Sequence, residues 1–194
     1  MIYKIYFLDT PWTILCPQND TVDDLNFRSL DMLQRETHTN HSADSVVIPE
    51  DGGEFQYPTE YLNTINGWGL PLSKLKLKIG APLMALWNPD PSNGMCNGTH
   101  AILTQFTNHV LEVRILGGDF TGKTASIPRI TIILSNLDLP FDLKCQQFPV
   151  RIAFAMSINK SQGQSVKKVG WVEFAMSSVH PLWSTVCCTV TEHH

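Results

Sequence analysis

Gly117-Gly118-Asp119-Phe120-Thr121-Gly122-Lys123-Thr124 spells G-x-x-x-x-G-K-T, the spacing with which a glycine-rich turn and a lysine hold nucleotide phosphates. Such a turn works when its amide N–H groups and a following helix face the phosphates. Here the next residues, Ala125-Ser126-Ile127-Pro128-Arg129-Ile130-Thr131-Ile132-Ile133, carry a proline and a β-branched run that oppose a helix. The spacing therefore predicts a β-hairpin turn rather than a phosphate cradle. A second candidate is basic: Lys74, Lys76 and Lys78 alternate with Leu75, Leu77 and Ile79, which predicts a strand with one apolar and one cationic face. That cationic face reads either as a solvated surface or as a row of phosphate contacts, and a second local cluster stands at Lys160, Lys167 and Lys168. Neither the histidines nor the five scattered cysteines, which contain no C-x-x-C pair, show metal-ligand spacing. The expected metal site is none, and the cysteines are expected as reduced thiols.

Several elements must position these residues. Trp12 to Cys16 is a β-prone run stopped by Pro17, and Thr21 with Asp24 three residues on resembles a helix N-cap. Val22, Leu25, Leu30 and Leu33 then share one helical face. The acidic, polar stretch from Glu36 to Gly69 reads as a long excursion. From Leu70 the period becomes two, with strands predicted at Pro82 to Trp87, Ala101 to Phe106, Val110 to Leu116 and Ile127 to Leu134, the spacing of a small barrel. A Pro-bounded linker is expected around Pro140 to Pro149, then a buried strand from Val150 to Ile158 and a turn from Asn159 entering a helix.

Composition bounds the partners. With 14 Lys and Arg against 18 Asp and Glu in 194 residues, the net charge of -4 excludes a whole-surface nucleic-acid binder and leaves only local patches. No apolar run approaches the roughly 18 residues of a membrane span, and the start lacks a signal-peptide core. The expectation is a soluble intracellular protein, nuclear if expressed, with no membrane partner.

Three segments together resemble the petite-integration-frequency (PIF-type) DNA helicases of superfamily one, in particular the Helitron transposon helicase subgroup. Phe148 to Ser165 resembles the family's fifth motif, a strand ending in a His-Lys-Ser-Gln-Gly turn, with Asn159 where the His is usual. Leu70 to Thr99, with Cys96-Asn97-Gly98-Thr99, resembles the family's inserted barrel, and Ile14 to Asn26 resembles its fourth motif.

The resemblance implies an α/β fold, a partial second RecA-like helicase domain interrupted by an inserted SH3-like small β-barrel. The expected division is 12–69 (first RecA-like part and acidic loop), 70–139 (barrel), 140–170 (return to the RecA-like domain) and 171–194 (a tail outside the family pattern). It also implies single-stranded DNA as partner, contacted weakly and without sequence preference by Ser157, Asn159, Lys160 and Ser161 together with Lys74, Lys76 and Lys78. Gln162 and Gly163 are implied next to the nucleotide. ATP and Mg serve the full-length family, whereas this chain is expected to hold neither tightly. The ATPase half, with the true phosphate loop, is expected before residue 1 or in a separate N-terminal helicase half, so no catalytic residue is assigned. The other reading is a free-standing small-barrel module that binds nucleic acid or protein without motor activity. In the tail, codons permitted for residues 175–191 and read one nucleotide later spell RCPVFTHYGQLYVALSR, which resembles the family's sixth motif. A frame change near Gly170 is therefore expected, and with it a tail that packs poorly.

Overall fold

The computed structural model describes residues 12–47, 57–58, 61, 71–134, 141–161, 168–172 and 186–187. The chain divides into two compact units, one of Met1–Gln34 with Ile152–His194, the other Arg35–Arg151. The second unit is wider at both ends than the 70–139 expected for a barrel.

In the first unit, β1 (Trp12–Cys16) lies between two parallel neighbours, β12 (Ala155–Ser157) and β13 (Lys168–Val172), and β14 (Val186–Cys187) pairs antiparallel with β13. Thr13, Leu15 and Cys16 are all buried, as a parallel strand covered on both faces requires. Helix α1 (Asn19–Met32) starts two residues before the expected cap: Gln18 is the N-cap, with extended backbone and no side-chain capping bond, and Thr21 is buried inside the first turn. Val22 of α1 packs on Cys16 and Ala155, with Ile14 and Leu25 partly buried beside them. The tail is not wholly outside the fold, because Trp171 and Val172 continue β13 and pair with Cys187 and Val186. Residues 173–185 and 188–194 lie outside the described residues.

In the second unit the strands are β2 (His38–His41), β3 (Ala43–Val47), β4 (Lys74–Leu77), β5 (Pro82–Ala85), β6 (His100–Phe106), β7 (Val110–Ile115), β8 (Thr124–Pro128), β9 (Ile130–Leu134) and β10 (Asp142–Gln147), with β11 (Val150–Ile152) running to the boundary at Ile152. They form sheets in the orders β11-β5-β6-β7-β8, β3-β10-β9 and β2-β4. Among the described residues these three sheets are not joined into one closed barrel. β5 to β8 are an antiparallel meander whose inward residues, Leu83, Leu103, Leu111, Val113, Ala125 and Ile127, make the core.

Four expectations need correction. The excursion after Glu36 contains β2 and β3, and the linker before Pro149 is β10, a strand between β3 and β9 that alternates Leu143, Cys145 and Gln147 inward. The predicted strand from Ile127 to Leu134 is two strands, β8 and β9, joined at Arg129 and placed in different sheets. The run Val150 to Ile158 likewise breaks at Ala153-Phe154, giving β11 to one sheet and β12 to another, and Ile158 opens a helix.

Candidate nucleic-acid interface

β1 and β12 run parallel with Cys16 opposite Ser157, so their carboxyl ends lie side by side. In open α/β sheets ligands gather at such ends. From β1 the chain passes through Pro17 and Gln18 into α1, and from β12 directly into α2 (Ile158–Ser161). Ile158, Asn159 and Lys160 are exposed, whereas Ser157 is buried. The structure thus presents Asn159 and Lys160 to solvent and withdraws Ser157, whose hydroxyl was expected among the contacts. Ser161 ends α2. At four residues, α2 is a single turn, so side chains rather than a helix dipole must supply any attraction for phosphate. Gln162 and Gly163 lie outside the described residues.

One residue not singled out from the sequence holds this edge. Among the described residues β12 is the outer strand of its sheet, and Ile14 N–H donates to Phe154 O (3.0 Å), so the polar groups of Ala155 face away from β1. Asn26 of α1 meets them: its Nδ2 donates to Ala155 O (3.0 Å), and Ala155 N–H donates to its Oδ1 (2.9 Å). Asn26 is buried, and its only sequence signal is a polar residue close to the apolar face of α1.

The lysine row is only partly the expected stripe. On β4, Lys74 is exposed opposite His41 and Lys76 is half-buried opposite Thr39, while Leu75 and Leu77 point into the core. The strand ends at Leu77, and the turn closed by Ala81 N–H to Lys78 O reverses the alternation. Lys78 is therefore only 6% exposed and Ile79 faces solvent, the opposite of the expected order.

The G-x-x-x-x-G-K-T segment forms the β7–β8 hairpin connection, with a 3-10 turn at Gly118–Phe120 and β8 starting at Thr124. Thr121 N–H donates to Gly118 O (3.2 Å), Gly122 N–H to Ile115 O (2.8 Å) and Lys123 N–H to Phe120 O (3.0 Å). Lys123 Nζ lies 4.7 Å from the centre of the Phe120 ring. With these amides satisfied internally and a strand following, the segment does not fit a nucleotide phosphate. Cys96-Asn97-Gly98-Thr99 also does structural work. The Thr99 hydroxyl donates to Gly94 O and accepts from Cys96 N–H, Asn97 N–H donates to Asn88 Oδ1, and Gly98 N–H donates to Ala85 O. Burial pushes the Cys16 thiol up to about 11; burial, then the bonded Asp44 carboxylate, pushes Cys145 to about 12. Both are held as neutral core residues.

Residues 60–106 match the family model described as the 2B domain of DNA helicase Pif1. The chain is 30% identical over 170 residues to the ATP-dependent DNA helicase PIF1 of Xenopus laevis, covering 86% of this chain and 24% of that relative. Its fold matches unliganded Pif1 from Bacteroides sp with a TM-score of 0.56 and 26% identity, over 83% of this chain and 46% of that one. Bacteroides Pif1 bound to single-stranded DNA matches with a TM-score of 0.57 and 25% identity, over 81% and 33%. In sequence and fold the chain is thus similar to Pif1-like superfamily-one DNA helicases. It spans about a quarter of the length of the Xenopus relative.

Proposed function

We propose that this chain is the DNA-gripping part of a Helitron-type Pif1 helicase: a piece of its second RecA-like domain, with an SH3-like barrel inserted, that contacts single-stranded DNA weakly and does not hydrolyse ATP by itself. The observation that carries this reading is the paired end of β1 and β12, where α2 offers Asn159 and Lys160 to solvent at the place where the family's fifth motif falls. Lys160 binds phosphate as a point charge and Asn159 as a neutral donor, so the contact is indifferent to base sequence. Lys74 and Lys76 add a second phosphate-facing surface, and Lys78 does not take part. The phosphate loop belongs to the helicase's ATPase half, and the helicase works in the nucleus.

The test is fluorescence anisotropy of a labelled oligo(dT) with the full chain across a salt series. Three lysine contacts, at Lys74, Lys76 and Lys160, give a log-log slope of about -2, at about -0.7 per contact. Lys160→Ala lowers the affinity and makes the slope shallower by about 0.7, as does Lys74→Ala, while Lys78→Ala leaves the slope alone. A Lys160→Ala chain that binds like the parent overturns the reading. So does ATP turnover by the chain alone that disappears with Lys123→Ala.

A further inference from the structure

We propose that Asn26 is the positioning residue of the DNA-contact segment, an inference that rests on reading Asn159 and Lys160 as phosphate contacts. β12 has a sheet partner on one side only, β1, among the described residues. Its three residues give it few ladder bonds to resist sliding, and although Met156 is buried on its other face, Ala155, on the face packed against α1, is too small to lock the strand by shape there. Asn26, 5% exposed, supplies what a second neighbouring strand would, one acceptor for Ala155 N–H at 2.9 Å and one donor for Ala155 O at 3.0 Å. Both bonds come from one planar amide on a fourteen-residue helix that is itself packed on Cys16 and Ala155 through Val22. A displacement of β12 by one residue, about 3.3 Å, breaks both bonds at once. Apolar packing is not directional in this way. The amide pair therefore sets how far β12 projects, and with it the height at which Asn159 and Lys160 leave the sheet. Asn26 is too deeply buried to touch DNA, so it acts through the strand.

The experiment measures oligo(dT) anisotropy over a salt series for the full chain, Asn26→Leu, Lys160→Ala and the pair together. Asn26→Leu should weaken binding several-fold and make the slope shallower by about 0.7, the equivalent of one contact. On the Lys160→Ala background it should leave the salt slope unchanged and cost much less affinity, because only the neutral Asn159 contact remains to be misplaced. If Asn26→Leu weakens binding equally with and without Lys160, its role is general stability and the inference fails. Silence of Lys160→Ala defeats the DNA reading itself, which distinguishes the two failures. Asn26→Asp answers where Asn26→Leu does not fold. As a carboxylate it accepts from Ala155 N–H but repels Ala155 O; protonated, its O–H donates to that oxygen and restores both bonds. Relative to the parent at each pH, its DNA affinity should recover as the solution is acidified from about pH 9 to about pH 5, since burial raises a carboxyl pKa. A flat ratio across that range overturns the proposal.

Discussion

Gly94→Ala tests whether the loop after β5 is built around Phe120. Gly94 has φ +83° as the cap of the 3-10 turn Pro91–Asn93, and a Cβ there would lie 2.5 Å from Phe120 Cγ and 2.6 Å from Cδ2. Gly80 is the internal control, with φ +88° and nothing within 4 Å of its Cβ position. Both substitutions force alanine into left-handed backbone, at about 1–2 kcal/mol. Only Gly94→Ala must also displace an aromatic ring, an overpacking cost of about 1–3 kcal/mol. Moving that ring also loosens the Lys123 contact 4.7 Å from its centre, about 0.5–1 kcal/mol at an exposed site. Gly94→Ala should therefore cost about 3 kcal/mol, about 2 more than Gly80→Ala. Removing the obstruction with Phe120→Ala should reduce the added cost of Gly94→Ala to its backbone part, giving a coupling of about 2 kcal/mol. Urea unfolding of the four chains of this cycle and of Gly80→Ala measures every quantity. Equal costs for Gly94→Ala and Gly80→Ala, or a coupling within about 0.5 kcal/mol of zero, would refute the packing argument.

Gln147→Leu should lose about 2–4 kcal/mol, since Gln147 is fully buried, donates to Asn40 O and Leu72 O and accepts from Phe148 N–H; a chain as stable as the parent would show these bonds to be dispensable. Iodoacetamide should modify exposed Cys96 in the native chain and reach Cys16 and Cys145 only on unfolding, as peptide mapping reads directly. The two buried thiols stay neutral when folded but ionise from the ordinary 9.0 when unfolded, so their stabilisation is complete below pH 9 and is lost as pH rises through about 11 to 12. Cys145→Ala should accordingly flatten the fall of the urea midpoint above pH 9, and an unchanged fall would contradict this. Asn159→His should leave the unfolding free energy within about 0.5 kcal/mol of the parent while DNA affinity rises below about pH 6.5; a pH-independent affinity would count against a phosphate beside this position.

Elements with a strong local period were legible in the sequence, and those organised by buried polar groups were not. β1, β4, β6 and β7 follow from alternating or continuous apolar residues, and the hairpin at Gly117 to Thr124 follows from the proline and β-branched residues behind it. β2 was hidden because its inward residue is Asn40, which reads as a loop residue until Arg129 donates to its side chain and Gln147 to its carbonyl. β10 does have the right alternation, but the flanking prolines suggested a linker, and its third inward residue is Gln147 rather than an apolar one. The break at Ala153-Phe154 had no signal in hydrophobicity, because the buried run continues through it while its two halves join different sheets, whereas the break at Arg129 falls on Pro128-Arg129, a polar interruption that the flanking β-branched residues masked. Lys78 failed for a geometrical reason: alternation predicts a face only while the strand lasts, and β4 stops one residue earlier.

The segments that carry the resemblance divide between holding the fold and facing solvent, and the division decides what a departure from the pattern means. Gly98 and Thr99 bond the loop back to Ala85, Gly94 and Cys96, and Asn26 holds β12, so substitution at these positions acts first on structure. Asn159 and Lys160 are exposed on a single helical turn. If the exposed end contacts DNA as proposed, asparagine in place of the usual histidine at 159 therefore bears on affinity and not on whether the β1–β12 edge forms. An amide keeps hydrogen-bond donors for a phosphate oxygen but lacks the cationic form of an imidazole, so the substitution removes pH dependence and some charge while leaving geometry intact. On this reading the DNA-facing end is weakened by chemistry, not by loss of the fold that presents it.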